Sequence, residues 1–189
     1  VSDYRRNGPT AVREYKRALD LNPNYARAHQ WLGNLYLALG QLGKASTHLQ
    51  QAAELDPMSS SIHAALAGAY NRQRPPRTEK ALAHTAQAKD LAPEYAAAHI
   101  VEGVALSRGG RYDEALGSFR RGFDRAAPGN GVRLLHLGKP AIVHVRRGDT
   151  TQARALLDTL EQNGESHYAR AEVHRSEERR VGKECIVKC

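Results

Sequence analysis

Residues 26–59 read ARAHQWLGNLYLALGQLGKASTHLQQAAELDPMS. Leu32-Gly33 stands three residues before Tyr36, and Gly40 follows at a turn. Ala45, Leu49 and Ala52 then recur at the spacing of one helix face, and Pro57 ends the run. The stretch therefore predicts two helices joined at Gly40 and closed before Pro57. A single pair of this kind cannot bury its own apolar face, so recurrence is the deciding question.

The pattern recurs. Ala11, Ala45, Ala81, Ala115 and Ala153 are separated by 34, 36, 34 and 38 residues, and Pro23, Pro57 and Pro93 by 34 and 36. Leu32 and Leu66 are 34 apart, as are Tyr36 and Tyr70. Four residues after each alanine comes Tyr15, Leu49, Thr85, Phe119 or Leu157; Thr85 is the poorest fit to a large apolar position. The small position after that holds Ala18, Ala52, Ala88 and Gly122.

In these registered positions the chain resembles the tetratricopeptide repeat (TPR) family, from Tyr4 to His174. The resemblance implies an all-α, right-handed α-solenoid of helix-turn-helix units. Gly33, Ala67 and Gly103 share one position in the first helices, where a small residue lets the antiparallel partner come close. Tyr36, Tyr70 and the large residues of the second helices fill the remaining volume. Proline at the end of each unit holds the residue before it, Asp56 or Ala92, outside the α region.

The units run 26–59, 60–95 and 96–130. Residues 1–25 are expected to be a partial unit, with Tyr4 and Gly8 ending a first helix and Ala11 to Leu21 forming a second. Residues 131–167 form an irregular unit whose first helix starts near Pro140, because proline sits comfortably only in a helix's first turn. Residues 131–139 are expected to form a separate turn or short helix. Residues 168–174 look like the start of a truncated unit. Arg175 to Cys185, RSEERRVGKEC, matches the translation of a sequencing adapter residue for residue, so 175–189 is expected to be a non-native tail that adds nothing to the fold. The start at Val1, within a repeat, points to a fragment.

Composition narrows the function classes. The 189 residues are 41% apolar and 25% charged, within the range of one folded domain or solenoid. No run reaches the roughly 18 apolar residues of a membrane span, and no leader peptide is visible. The net charge of +8 is spread over several clusters rather than one basic stripe, which reads as solvated helix faces. Cys185 and Cys189 are the only cysteines, which leaves the repeats without a disulfide framework or a thiol nucleophile.

No catalytic constellation and no cofactor motif appears. Gly129-Asn130-Gly131 lacks the Gly-Lys-Ser/Thr of a phosphate loop, and Arg147-Gly148-Asp149 falls on the turn of a unit. His29, His63 and His99 occupy one position of three successive units. Equivalent helices are roughly 10 Å apart, too far to share a metal with bonds near 2 Å. These histidines are therefore expected to pack, and no metal is expected.

The TPR resemblance implies instead a concave groove lined by the first helices, which receives a protein or peptide segment. By that analogy the groove residues are Arg27, Gln30, Asn34, Asn71, Arg72, Ser107 and Arg108. Three arginines and few carboxylates among them point to an acidic partner. The chaperone-binding subfamily's carboxylate clamp would fall on Gln30, Asn34, Ala65, Ala97 and Val101, of which only Asn34 matches. The phrases NPNYARAHQWLG, AELDPMSSSI and GDTTQARALLDTLEQ also resemble repeats of bacterial signalling proteins that carry a winged-helix, cyclase or kinase domain. The expectation is a cytoplasmic, monomeric, non-enzymatic interaction scaffold with no nucleic-acid partner. Two alternatives stand beside it: an accessory repeat region of a kinase, cyclase or glycosyltransferase, and an RNA-binding helical repeat. The RNA reading lacks regularly placed reading positions.

Overall fold

A computed structural model describes residues 2–127 and 136–162, with the side chains of 2–7 left aside. All regular structure among the described residues is helical. In chain order it is α1 (Ser2–Leu21), α2 (Ala26–Ala38), α3 (Leu42–Leu55), α4 (Ser60–Arg72), α5 (Thr78–Leu91), α6 (Ala96–Arg108), α7 (Tyr112–Arg125), α8 (Lys139–Arg147) and α9 (Thr150–Gln162). The Gly129-Asn130-Gly131 motif, most of the 131–139 segment, the 168–174 segment and the 175–189 tail lie outside the described residues.

The helices form pairs, α2 with α3, α4 with α5, α6 with α7 and α8 with α9. Each second helix also packs on the first helix of the next pair, α3 on α4 and α5 on α6, while α2, α4 and α6 lie side by side. This is an α-solenoid in which the first helices α2, α4 and α6 line one face.

Sequence explains the turns. Gly40, Gly110 and Gly148 have φ of 75°, 79° and 96°, a region that favours glycine. Beyond each glycine a backbone N–H donates back five residues: Gln41 to Tyr36 O, Arg111 to Leu106 O and Asp149 to His144 O, each 2.9 Å. In the α4–α5 unit two extra residues and the prolines Pro75 and Pro76 replace the glycine. The equivalent bond is Arg77 N–H to Tyr70 O, 3.2 Å. Between units, Asp56 and Ala92 take φ of −137° and −148° before their prolines, outside the helical region.

One expectation is corrected. The first 25 residues do not break near Gly8, because α1 runs unbroken through Pro9. The reason lies one period before Gly40, where the chain carries Arg6. With no residue there suited to a positive φ, the turn does not form and the helix continues. Pro9 removes a single backbone donor near the start. Pro140, in contrast, lies in the first turn of α8, where that donor has no helical partner to lose.

The core follows the small-against-large rule. A Cβ on Gly33 would lie 2.6 Å from Leu49 Cγ, and one on Gly103 would lie 2.9 Å from the Phe119 ring. Leu49 and Phe119 are fully buried. The α4–α5 unit carries Ala67 at the glycine position and Thr85 opposite, both fully buried. Thr85 therefore matches its partner position: the volume that alanine adds is given up by the smaller side chain. Its hydroxyl is satisfied within the helix by donating to Leu82 O at 2.9 Å.

Candidate functional site: the inner face of the first helices

The groove residues named from sequence do not form one uniform surface. Arg27 is exposed and sits over the Trp31 ring, 5.9 Å from its centroid, and the Tyr15 ring of α1 approaches Trp31 at 5.7 Å. Asn34 is exposed. Gln30 is half-buried and donates to Ser61 Oγ at 2.9 Å, bridging α2 to α4. Asn71 is buried, 2% exposed, and donates to Val101 O at 3.1 Å, while its Oδ1 has no hydrogen-bond partner. Ser107 is buried and accepts from Arg146 Nη1 at 3.1 Å. Asn71 and Ser107 thus join one unit to the next and do not present side chains to a partner.

Arg72 and Arg108 do stand at the surface, and the structure adds two arginines beside them. Arg72 and Arg108 end α4 and α6, Arg146 lies in the last turn of α8, and Arg74 lies in the α4–α5 turn. Arg72 Nη1 donates to Leu37 O of the preceding unit at 3.2 Å. Arg146 repeats that reach two units further on, to Ser107, which holds the position equivalent to Leu37. Partial loss of solvent around Arg108, then repulsion by Arg146, Arg74 and Arg72, pulls its pKa below the ordinary arginine range. Among the described residues Arg72, Arg74 and Arg108 have no carboxylate partner. Clustered guanidiniums without a counter-charge are the kind of group that favours an anion nearby.

Arg146 was legible in the sequence. Arg72, Arg108 and Arg146 each stand two residues after the residue whose carbonyl closes the turn, namely Tyr70, Leu106 and His144. The irregular spacing of the fourth unit hid the register. Arg74 carries no such signal, since it belongs to the two-residue insertion.

The other polar cluster lies between the second helices and α6. Lys89 pairs with Glu102, whose second oxygen accepts from Ser118 Oγ at 3.0 Å. Arg121 donates to Ser118 Oγ at 2.9 Å and stands 3.7 Å from Glu102. Each charge there has a partner, so the cluster ties α5, α6 and α7 together.

Family models described as tetratricopeptide repeat match residues 6–69 and 67–130, together well over half of the chain. The chain belongs to the tetratricopeptide repeat family. No curated protein matches it in sequence. Among solved structures it is similar to TTC0263, a thermophilic TPR protein of Thermus thermophilus, at 21% identity and a TM-score of 0.73, covering 89% of this chain and 90% of that one. It is also similar to MamA, at 19% identity and a TM-score of 0.61, covering 94% and 93%. A third is YrrB, a TPR protein described as having an unusual peptide-binding site, at 19% identity and a TM-score of 0.60, covering 90% and 84%. At these identities the likeness is one of fold. No helix among the described residues is long and apolar enough to cross a membrane.

Proposed function

We propose that the chain is a non-catalytic interaction scaffold whose inner edge takes up an acidic segment of a partner protein. Arg72, Arg108 and Arg146 anchor it, Arg74 adds charge, and Arg27 and Asn34 extend the surface toward the first unit. The observation that carries this reading is the gathering of four arginines from four elements, three of them without a carboxylate among the described residues. A family relative in fold, YrrB, is described as having a peptide-binding site, and a peptide rich in Asp and Glu is the form of partner these guanidiniums fit. On the phrase-level resemblance to bacterial signalling repeats, we read the chain as part of a larger regulatory protein that works as a cytoplasmic monomer.

Binding of a labelled Glu-rich peptide, measured by fluorescence anisotropy beside its Gln-substituted twin, tests the reading. Exposed arginine–carboxylate pairs contribute up to about 1 kcal/mol each, so Arg72→Glu with Arg108→Glu should weaken binding by roughly tenfold or more. Added salt should weaken it further. Equal affinity for both peptides, unchanged by the double substitution and by salt, would show that the groove does not select acidic segments.

A further inference from the structure

Two histidine pairs lie outside the arginine edge. His29 on α2 and His48 on α3 bring Nδ1 to within 3.0 Å of Nδ1, and His63 on α4 and His84 on α5 do so at 3.2 Å. His29 Nε2 is 3.0 Å from Pro23 O, and His63 Nε2 is 2.9 Å from Pro57 O. A carbonyl only accepts, so each Nε2 carries the proton. When neutral, His29 and His63 therefore keep a lone pair on Nδ1. In the arrangement seen, that lone pair accepts from Nδ1–H of His48 or His84.

We infer that each pair is a two-nitrogen chelate for a borderline divalent cation of the Zn²⁺ class, with water completing the coordination shell. The bite fits. For metal–nitrogen bonds of about 2.0–2.1 Å, two ligands stand roughly 2.9 Å apart at a right angle and roughly 3.3 Å apart at the tetrahedral angle. Both Nδ1–Nδ1 distances fall between these limits. The far sides of the rings fit too. An imidazole N–H held on a backbone carbonyl is the outer hydrogen bond that fixes the ring and tautomer of ligating histidines. His48 or His84 need only move its proton from Nδ1 to Nε2, so a neutral pair gives up no proton on binding. Tyr36 and Tyr70 stack on His48 and His84, each with centroids 5.6 Å apart, and hold those rings in place.

The surroundings set limits. Among the described residues no group of three or more His, Cys, Asp or Glu gathers, which is why water must fill the remaining positions. Lys16 lies near His48 and Lys80 near His84, and Lys44 and Lys80 sit over the two tyrosine rings. These cations oppose a dication, so binding is weaker than at a closed site.

The third unit supplies an internal control. His99 Nε2 donates to Pro93 O at 2.8 Å, as in the other units. The position of His48 and His84 is taken by Ser118, which turns to Glu102, and His99 Nδ1 is left without a hydrogen-bond partner. With one nitrogen in place of two, that unit has no chelate.

Zn²⁺ titration of the full chain by calorimetry tests this. His48→Phe and His84→Phe each keep a ring against the tyrosine, and each should lower the stoichiometry by one; the double variant should lower it by two. His99→Phe should leave it unchanged. Cys185 and Cys189 are present in every variant and cancel in the difference. Should a variant fold poorly, imidazole ¹⁵N shifts of the unaltered protein decide the matter. On addition of Zn²⁺ the signals of His29, His48, His63 and His84 should move while those of His99 stay. Unmoved pair signals at millimolar Zn²⁺, or an unchanged stoichiometry in the well-folded double variant, would reduce the pairs to hydrogen bonds.

Discussion

The α2–α3 and α6–α7 pairs share one backbone plan and fill it differently. Each crosses its helices at a glycine pressed against a large side chain, Gly33 on Leu49 and Gly103 on Phe119. Each anchors a first-helix histidine on the carbonyl of the preceding proline. Beside that shared frame, α2–α3 builds an aromatic stack of His29, His48 and Tyr36, with ring centroids 5.2 and 5.6 Å apart. The α6–α7 pair instead builds a charged network from Glu102, Lys89, Ser118 and Arg121. Volume at the crossing is what the fold demands of every unit. The polar layer next to it varies, and chemistry can differ there between units that look alike.

The crossing is the place to break both units equally. Leu49→Ala and Phe119→Ala each remove a fully buried side chain and leave a cavity, at a cost of roughly 2–5 kcal/mol in chemical unfolding. A loss below about 1 kcal/mol would mean the surroundings collapse onto the space. The reverse change sharpens the comparison. Gly103→Ala places a methyl against the Phe119 ring and should cost about 1–3 kcal/mol. Phe119→Leu should then recover part of that loss in the double variant, because α4–α5 already tolerates alanine opposite a smaller side chain. Strict additivity of the two changes would show that the residues do not share the space.

The charged layer of α6–α7 can be removed alone. Glu102→Gln keeps the shape and deletes the charge that Lys89 and Arg121 face. The expected loss is about 1–2 kcal/mol, reduced because Arg121 is half exposed. Added salt should weaken the contribution of the Glu102 layer, an effect that Glu102→Gln removes and that His48→Gln, in a layer built on His29, His48 and Tyr36, leaves in place.

Most of the architecture was legible in the sequence, because proline, glycine and the small-large positions act locally and repeat. The one break expected and not formed, near Gly8, depended on which residue occupied the turn position, and Arg6 does not favour the required φ. The groove was less legible. A register identifies the face on which Asn71 and Ser107 lie, but it does not reveal that neighbouring units cover them. Arg146 could be found by counting from the turn, whereas Arg74 could not. The histidine pairs were missed for a different reason. His29, His63 and His99 were compared along the stack, where they are too far apart, while the partner of each lies across its own unit. His48 and His84 each stand three residues after the helix-crossing alanine, Ala45 or Ala81, and that shared offset was the available signal.

The smallest expected effect separates the two polar layers by pH. Burial, then repulsion from His29 and Lys16, holds His48 below its unfolded pKa of 6.5. Burial, then His63 and Lys80, does the same to His84, opposed by a hydrogen bond to Gln87. Between pH 6.5 and those lower values the unfolded chain binds more protons than the folded one. The contribution of the two histidines to stability is therefore complete above pH 6.5, falls as the pH drops below it, and levels off once the folded histidines are also protonated. Urea unfolding from about pH 7.5 down to about 5 in a metal-free buffer should show this decline. It should flatten in a His48→Phe, His84→Phe double variant and persist in His99→Phe. A decline of equal size in the double variant would assign the proton uptake to other groups.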